Sequence, residues 1–257
     1  MSPVKGRFAR GEGYARRPLV FQGVDHLPDG RERQVILLSF DTMNQKRGNK
    51  IMLLQTHGIT FSYPGLPLFR ALDLRVEPGI SLVTGERGKS TLLRLLAGDL
   101  APQAGWLAAG GVRQDMEPAA YCAQVFWIEP ATSAFDQRTP REFFAFLAAG
   151  ARRLDVGVAE EVAMRLGLEP HLDKAIYMLS SGSRRKVWMS AAFASDAPVV
   201  LIDDLFAALD RPSIDALSGL LAEQARRNER AWLVAHYGIP HGVPLRATID
   251  LDALAGS

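Results

Sequence analysis

Two stretches of this chain are apolar almost without interruption: Val199-Val-Leu-Ile and Ala231-Trp-Leu-Val-Ala. A strand that buries one face alternates apolar and polar residues, whereas one buried on both faces reads as a continuous apolar run. Such strands need helices on both sides of a parallel sheet, so the pattern predicts an α/β core. Ile80-Ser-Leu-Val-Thr reads as a further strand, and the stretches Ser90–Ala97 and Ser213–Arg227 as helices, the first stopped by Gly98.

Around this core the periodicity changes. Met52–Thr56 and Gly58–Tyr63 read as short strands closed by Pro64-Gly65, and Phe69–Val76 alternates apolar with polar. This predicts a β-rich start ahead of the parallel sheet. Trp106–Ala109 and Ala119–Ala123 are strand candidates, and Thr248–Leu251 a last short one. Between residues 134 and 195 the pattern is helical. Thr139-Pro-Arg-Glu has the form of a capping box with proline at the first helical position. Helices are also expected over Val158–Leu168 and Ser183–Ala194, so this insert predicts a helical lobe.

Composition closes off several classes. With 47% hydrophobic and 23% charged residues the chain is not disordered or collagen-like. A single cysteine, Cys122, excludes an internal disulfide and suits a reducing compartment. No run approaches the roughly 20 apolar residues of a membrane span. The net charge of +2 hides an asymmetry: residues 1–51 hold ten basic and five acidic residues, the remainder 20 and 23. Residues 1–51 are therefore expected to be a basic, poorly ordered extension, with Met52 as a candidate native start. Residues 52–257 are expected to form the functional domain.

The chemistry is concentrated in four places. Gly85-Glu-Arg-Gly-Lys-Ser-Thr follows a strand and opens a helix, the setting of a phosphate-binding loop. Backbone N–H groups and the helix N-terminus attract anions there. Further on come Leu179-Ser-Ser-Gly-Ser, then Val199-Val-Leu-Ile-Asp-Asp-Leu-Phe-Ala-Ala-Leu-Asp, then Leu233-Val-Ala-His. In this order and spacing the chain, from about Met52 to Leu254, resembles the ATP-binding-cassette (ABC) ATPase family. In length it is most like small bacterial subunits such as the haem-exporter ATPase.

The resemblance implies the following. The fold is an α/β phosphate-loop NTPase of ABC type, with a parallel core sheet, an antiparallel β subdomain and a helical lobe, binding ATP and Mg²⁺. Gly85, Gly88, Lys89, Ser90 and Thr91 hold phosphates, Ser90 also contacting Mg²⁺. Asp203 holds Mg²⁺ through water, and Gln124 senses metal and couples to the partner. Asp204 polarises the attacking water, and His236 senses the γ-phosphate. Tyr63, or alternatively Phe61, stacks on adenine. Ser180 and Gly182 cap nucleotide on a second subunit, which Asp210 also contacts. Function follows as the ATP-hydrolysing subunit of a membrane transporter. It would work as a homodimer or heterodimer beside a separate permease, in the cytoplasm at the inner face of the plasma membrane. A decayed regulatory subunit beside an active partner is the alternative. A soluble ABC ATPase acting on nucleic acid is disfavoured, because the basic residues of 1–51 are interleaved with acids.

Several positions depart from the family pattern. Only Glu86 and Arg87 separate Gly85 from Gly88-Lys89, two residues fewer than usual; keeping the usual count puts Val83 at the first glycine. Ser181 and Ser183 replace glycine and glutamine in the signature, and Leu205 replaces proline. Asp204 stands where the family has glutamate, which sets its carboxylate roughly 1.5 Å back. A displacement of that size costs on the order of 100-fold in rate, so slow hydrolysis is expected.

Overall fold

The computed structural model describes residues 52–150, 154–238 and 240–255, together with two strands nearer the N-terminus. Those strands are β1 (Leu19–His26) and β2 (Glu32–Ser39), paired antiparallel. They stand inside the segment read from its sequence as poorly ordered; the rest of residues 1–51 lies outside the described residues.

β3 (Leu54–Tyr63) and β4 (Leu66–Val76) form a hairpin whose turn is Pro64-Gly65. Gly65 takes φ of 76°, the positive value a type II turn requires at its third position. β4 follows the alternation in its sequence: Phe69, Leu72, Leu74 and Val76 are buried. Next come β5 (Gly79–Thr84), α1 (Lys89–Ala97), β6 (Ala104–Ala109) and the short β7 (Val112–Arg113). The order in the first sheet is β1-β2-β4-β3-β6-β7, antiparallel except where β2 meets β4.

One strand expectation fails. Residues around Ala119–Ala123 form a helix, α2 (Pro118–Gln124), and the strand is the following β8 (Val125–Phe126). Pro118 is preset for a first helical turn, and three alanines favour helix over strand. Tyr121 locks α2 down, fully buried and donating its hydroxyl to the Leu96 carbonyl at 2.6 Å.

The lobe consists of α3 (Pro140–Ala149), α4 (Val156–Arg165) and α5 (Ser181–Ala194). The capping box at α3 is complete: Glu142 N–H donates to Thr139 Oγ1 at 3.2 Å and Thr139 N–H to the Glu142 carboxylate at 2.8 Å. The chain then returns through β9 (Val199–Ile202), α6 (Arg211–Arg227), β10 (Ala231–Ala235), β11 (Ala247–Asp250) and α7 (Leu251–Ala255).

The second sheet runs β11-β5-β10-β9-β8, with every pair parallel. Its strands feed two cores alternately. Val200, Ile202, Trp232 and Val234 face the core shared with the lobe; Val199, Leu201, Ala231 and Leu233 face the core shared with α1 and the first sheet. That alternation explains the unbroken apolar runs: period two is present, but both faces are dry. Parallel pairing also sends the C-terminal ends of β5, β9 and β10 to the same edge. The site is built there.

Candidate functional site

The loop of residues 85–88 leaves β5 and enters α1. Gly88 is the N-cap of α1, with φ of 86° and no side-chain hydrogen bond to the helix end. No acidic residue sits in the first turn. An α-helix leaves its first N–H groups without intrahelical partners, so this end offers donors and a positive dipole to an anion. Gly85, at φ of 125°, lies against α7, where a Cβ would come within 2.9 Å of the Leu251 Cβ. Glu86 N–H donates to both carboxylate oxygens of Asp252, at 3.0 and 2.9 Å. The shortened loop is thus braced from the C-terminal end of the chain.

The Lys89 ammonium donates to the Gly85 carbonyl and lies 4.0 Å from the centre of the Tyr237 ring. Tyr237 follows His236, whose N–H donates to the Val83 carbonyl at 3.1 Å. The His236 ring stands 4.0 Å from an Asp204 carboxylate oxygen. Burial holds the His236 pKa below its ordinary 6.5; the Asp204 charge opposes this and the Lys89 charge adds to it. Asp204 takes φ of 48°, a left-handed conformation that aspartate tolerates better than most residues. The buried Arg185 guanidinium, on α5, donates to the carbonyls of Asp203 and Asp204 and fixes that turn from behind. Phosphate loop, acidic turn and histidine therefore converge through these contacts.

Ser180, Gly182 and Asp210 form a second group. Ser180 caps α5, accepting from Ser183 N–H at 3.1 Å. A Cβ on Gly182 would run into the Ala208 carbonyl, so the signature helix and the loop after Asp204 touch backbone to backbone. Asp210 caps α6 through Ser213 N–H at 3.0 Å and lies 3.8 Å from the Lys186 ammonium. Its pKa is lowered, chiefly by the Ser213 hydrogen bonds. Of the two aromatic candidates, Phe61 is buried in the core, while Tyr63 is exposed and packs only an edge against it at 5.1 Å. Ser90 is exposed and Thr91 half-buried on the first turn of α1.

Gln124 is not brought to this edge. It precedes β8, whose Val125 pairs with Val199, the first residue of β9. Asp203 follows the last residue of β9, so Gln124 stands five residues below it, roughly 16 Å at the strand rise. Its side chain lies against Gly110 instead. Counting on from the register, Glu129 reaches the level of Asp203, and Ile128 lines the same crevice as Asp203 and Arg185.

Four residues of this neighbourhood were not visible from motifs: Tyr237, Asp252, Arg185 and Glu129. Tyr237 had one signal, an aromatic directly after the strand-end histidine. Asp252 had none, since 166 residues separate it from its partner Glu86.

A parallel sheet whose strand ends carry a glycine-lysine loop, paired aspartates and a histidine defines a phosphate-loop nucleotide-binding protein. The family model described as ABC transporter matches residues 72–207, just over half of the chain, and the chain belongs to that family. Members are ATP-binding, ATP-hydrolysing subunits of membrane transporters. The chain is 31% identical over 187 residues to a cytochrome c biogenesis ATP-binding export protein, CcmA, of Pseudomonas savastanoi, covering 72% of this chain and 88% of that one. It is 34% identical over 168 residues to the thiamine import ATP-binding protein ThiQ of Vibrio vulnificus, covering 63% and 70%. Among solved structures, an ATP-binding protein of an ABC transporter from Pyrococcus furiosus superimposes with a TM-score of 0.64 at 16% identity, covering 78% of this chain and 98% of that one. Among the described residues no helix is long and apolar enough to cross a membrane.

Proposed function

We propose that this site binds Mg²⁺-ATP and hydrolyses it slowly, and that two such domains close on nucleotide to drive a separate membrane permease from the inner face of the plasma membrane. The observation that carries the reading is the chain of contacts from Lys89 through Tyr237 and His236 to Asp204. It brings the Lys89 ammonium and the Asp204 carboxylate to one edge, which supports a phosphate-binding role for the first and a water-polarising role for the second.

The residues fit both groups. The uncapped N-terminus of α1 suits phosphate, and the exposed Tyr63 ring suits a base. For Mg²⁺ the donors are the Ser90 hydroxyl and the Asp203 carboxylate. One or two protein oxygens suit a cation that keeps phosphate and water as its other ligands. Bound there, Mg²⁺ would neutralise charge on the phosphates. Lys89 would turn its ammonium to the outer phosphates. Asp204 would accept a proton from water, oriented by neutral His236. The short loop, with Glu86 N–H already committed to Asp252, and the short Asp204 side chain both favour slow turnover over rapid turnover. Ser180, Gly182 and Asp210 are assigned to the partner-facing surface.

The export and import names among the relatives attach to one nucleotide-binding fold, so direction and cargo belong to the permease. The test is equilibrium binding of Mg²⁺-ATP to the full chain beside Lys89→Ala, followed by turnover. Saturable binding weakened at least tenfold by Lys89→Ala is expected, since hydrogen bonds to charged groups contribute about 1.5–3 kcal/mol. Absence of binding at millimolar ATP would overturn the reading and point to a decayed subunit.

A further inference from the structure

Lys89 is not free to meet phosphate as the structure stands. One of its donors goes to the Gly85 carbonyl, and its charge sits 4.0 Å from the Tyr237 ring centre. That ring is 76% exposed, so core packing does not account for its position. Its attachment is nevertheless firm, because the preceding residue is tied by His236 N–H to Val83 at the end of β5. The carbonyl and the ring are both anchored near the end of the strand that carries the loop, and both engage the ammonium.

We propose that Tyr237 is a positioning residue that parks Lys89 when nucleotide is absent, so that phosphate must compete with the ring face for the ammonium. The role rests on the ATP-binding reading above. The negative face of an aromatic ring attracts a cation electrostatically, and at exposed sites the attraction corresponds to about a two- to five-fold change in an equilibrium constant. The phenol oxygen takes no part in it, so phenylalanine can replace tyrosine and an aliphatic residue cannot.

The experiment uses the full chain as wild type, Tyr237→Leu and Tyr237→Phe. The Lys89 side-chain protons are followed by NMR with labelled lysine, assigned by their loss in Lys89→Ala, before and during titration with Mg²⁺-ATP. Upfield ring-current shifts are expected in the wild type and Tyr237→Phe but not in Tyr237→Leu. They should disappear as ATP binds. Tyr237→Leu should bind ATP about two- to five-fold more tightly than the wild type, and Tyr237→Phe should restore the wild-type value. No ring-current shift in the wild type overturns the parking. ATP binding by the wild type with unchanged or weaker binding by Tyr237→Leu overturns it too, while leaving the ATP reading in place. Failure of all three to bind overturns both.

Discussion

Two of the helices that begin at motif residues, α1 and α5, begin differently. α1 starts on Gly88, in a left-handed conformation, with no side chain closing its end. α5 starts on Ser180, whose hydroxyl accepts from Ser183 N–H at 3.1 Å. An open helix end is a cost to the empty protein and an opportunity for an anion. A capped end is already satisfied and serves to hold position. The contrast separates a binding element from a presenting one: α1 is completed by ligand, whereas α5 is complete alone and sets Gly182 against Ala208.

The comparison breaks most readily at Gly182. Gly182→Ala pushes a methyl toward the Ala208 carbonyl in a buried contact, where overpacking costs about 1–3 kcal/mol, partly offset by roughly 1 kcal/mol of better helix propensity. Denaturant unfolding should show a net loss of about 1 kcal/mol or more, with the Lys89-dependent ATP affinity of the single chain kept. An unchanged midpoint would mean the two backbones do not touch as described. Ser180→Ala tests the cap itself. It should lower stability by about 1 kcal/mol, again without weakening ATP binding by the isolated chain. A loss of ATP affinity in that variant would show that α5, like α1, is a binding end within one chain.

The smallest effect concerns pH. His236 has a pKa lowered by burial, so the folded state favours the neutral ring. Its contribution is fully present above about pH 6.5, the unfolded value, and is lost as pH falls through the folded value. His236→Gln should flatten the stability profile in that acidic window and leave it unchanged at pH 8. A steeper profile in the variant would reverse the sign assigned here.

Much of the fold was legible because its signals are local. The Thr139 capping box, the Pro64-Gly65 turn and the helix stop at Gly98 all appear where the sequence put them. The core strands were legible as doubly buried, and each does serve two cores. The segment around Tyr121 was misread because strand and helix compete closely over a few small residues, and Pro118 with its alanines tipped the balance. That one shift moved the strand from 119–123 to 125–126 and left Gln124 at the wrong end of the sheet. The two strands at 19–26 and 32–39 had no motif to announce them.

From the sequence alone follow the order of the elements, the strands buried on both faces, and the glycine-lysine loop at the head of a helix. These depend on neighbours within a few residues, where sterics, capping and period act directly. The level of Gln124, the brace from Asp252 to Glu86, the Tyr237 ring beside Lys89 and the closeness of Gly182 to Ala208 were decided only by tertiary structure. Each depends on strand register or on packing between distant segments, and neither leaves a periodic trace in the chain that forms it.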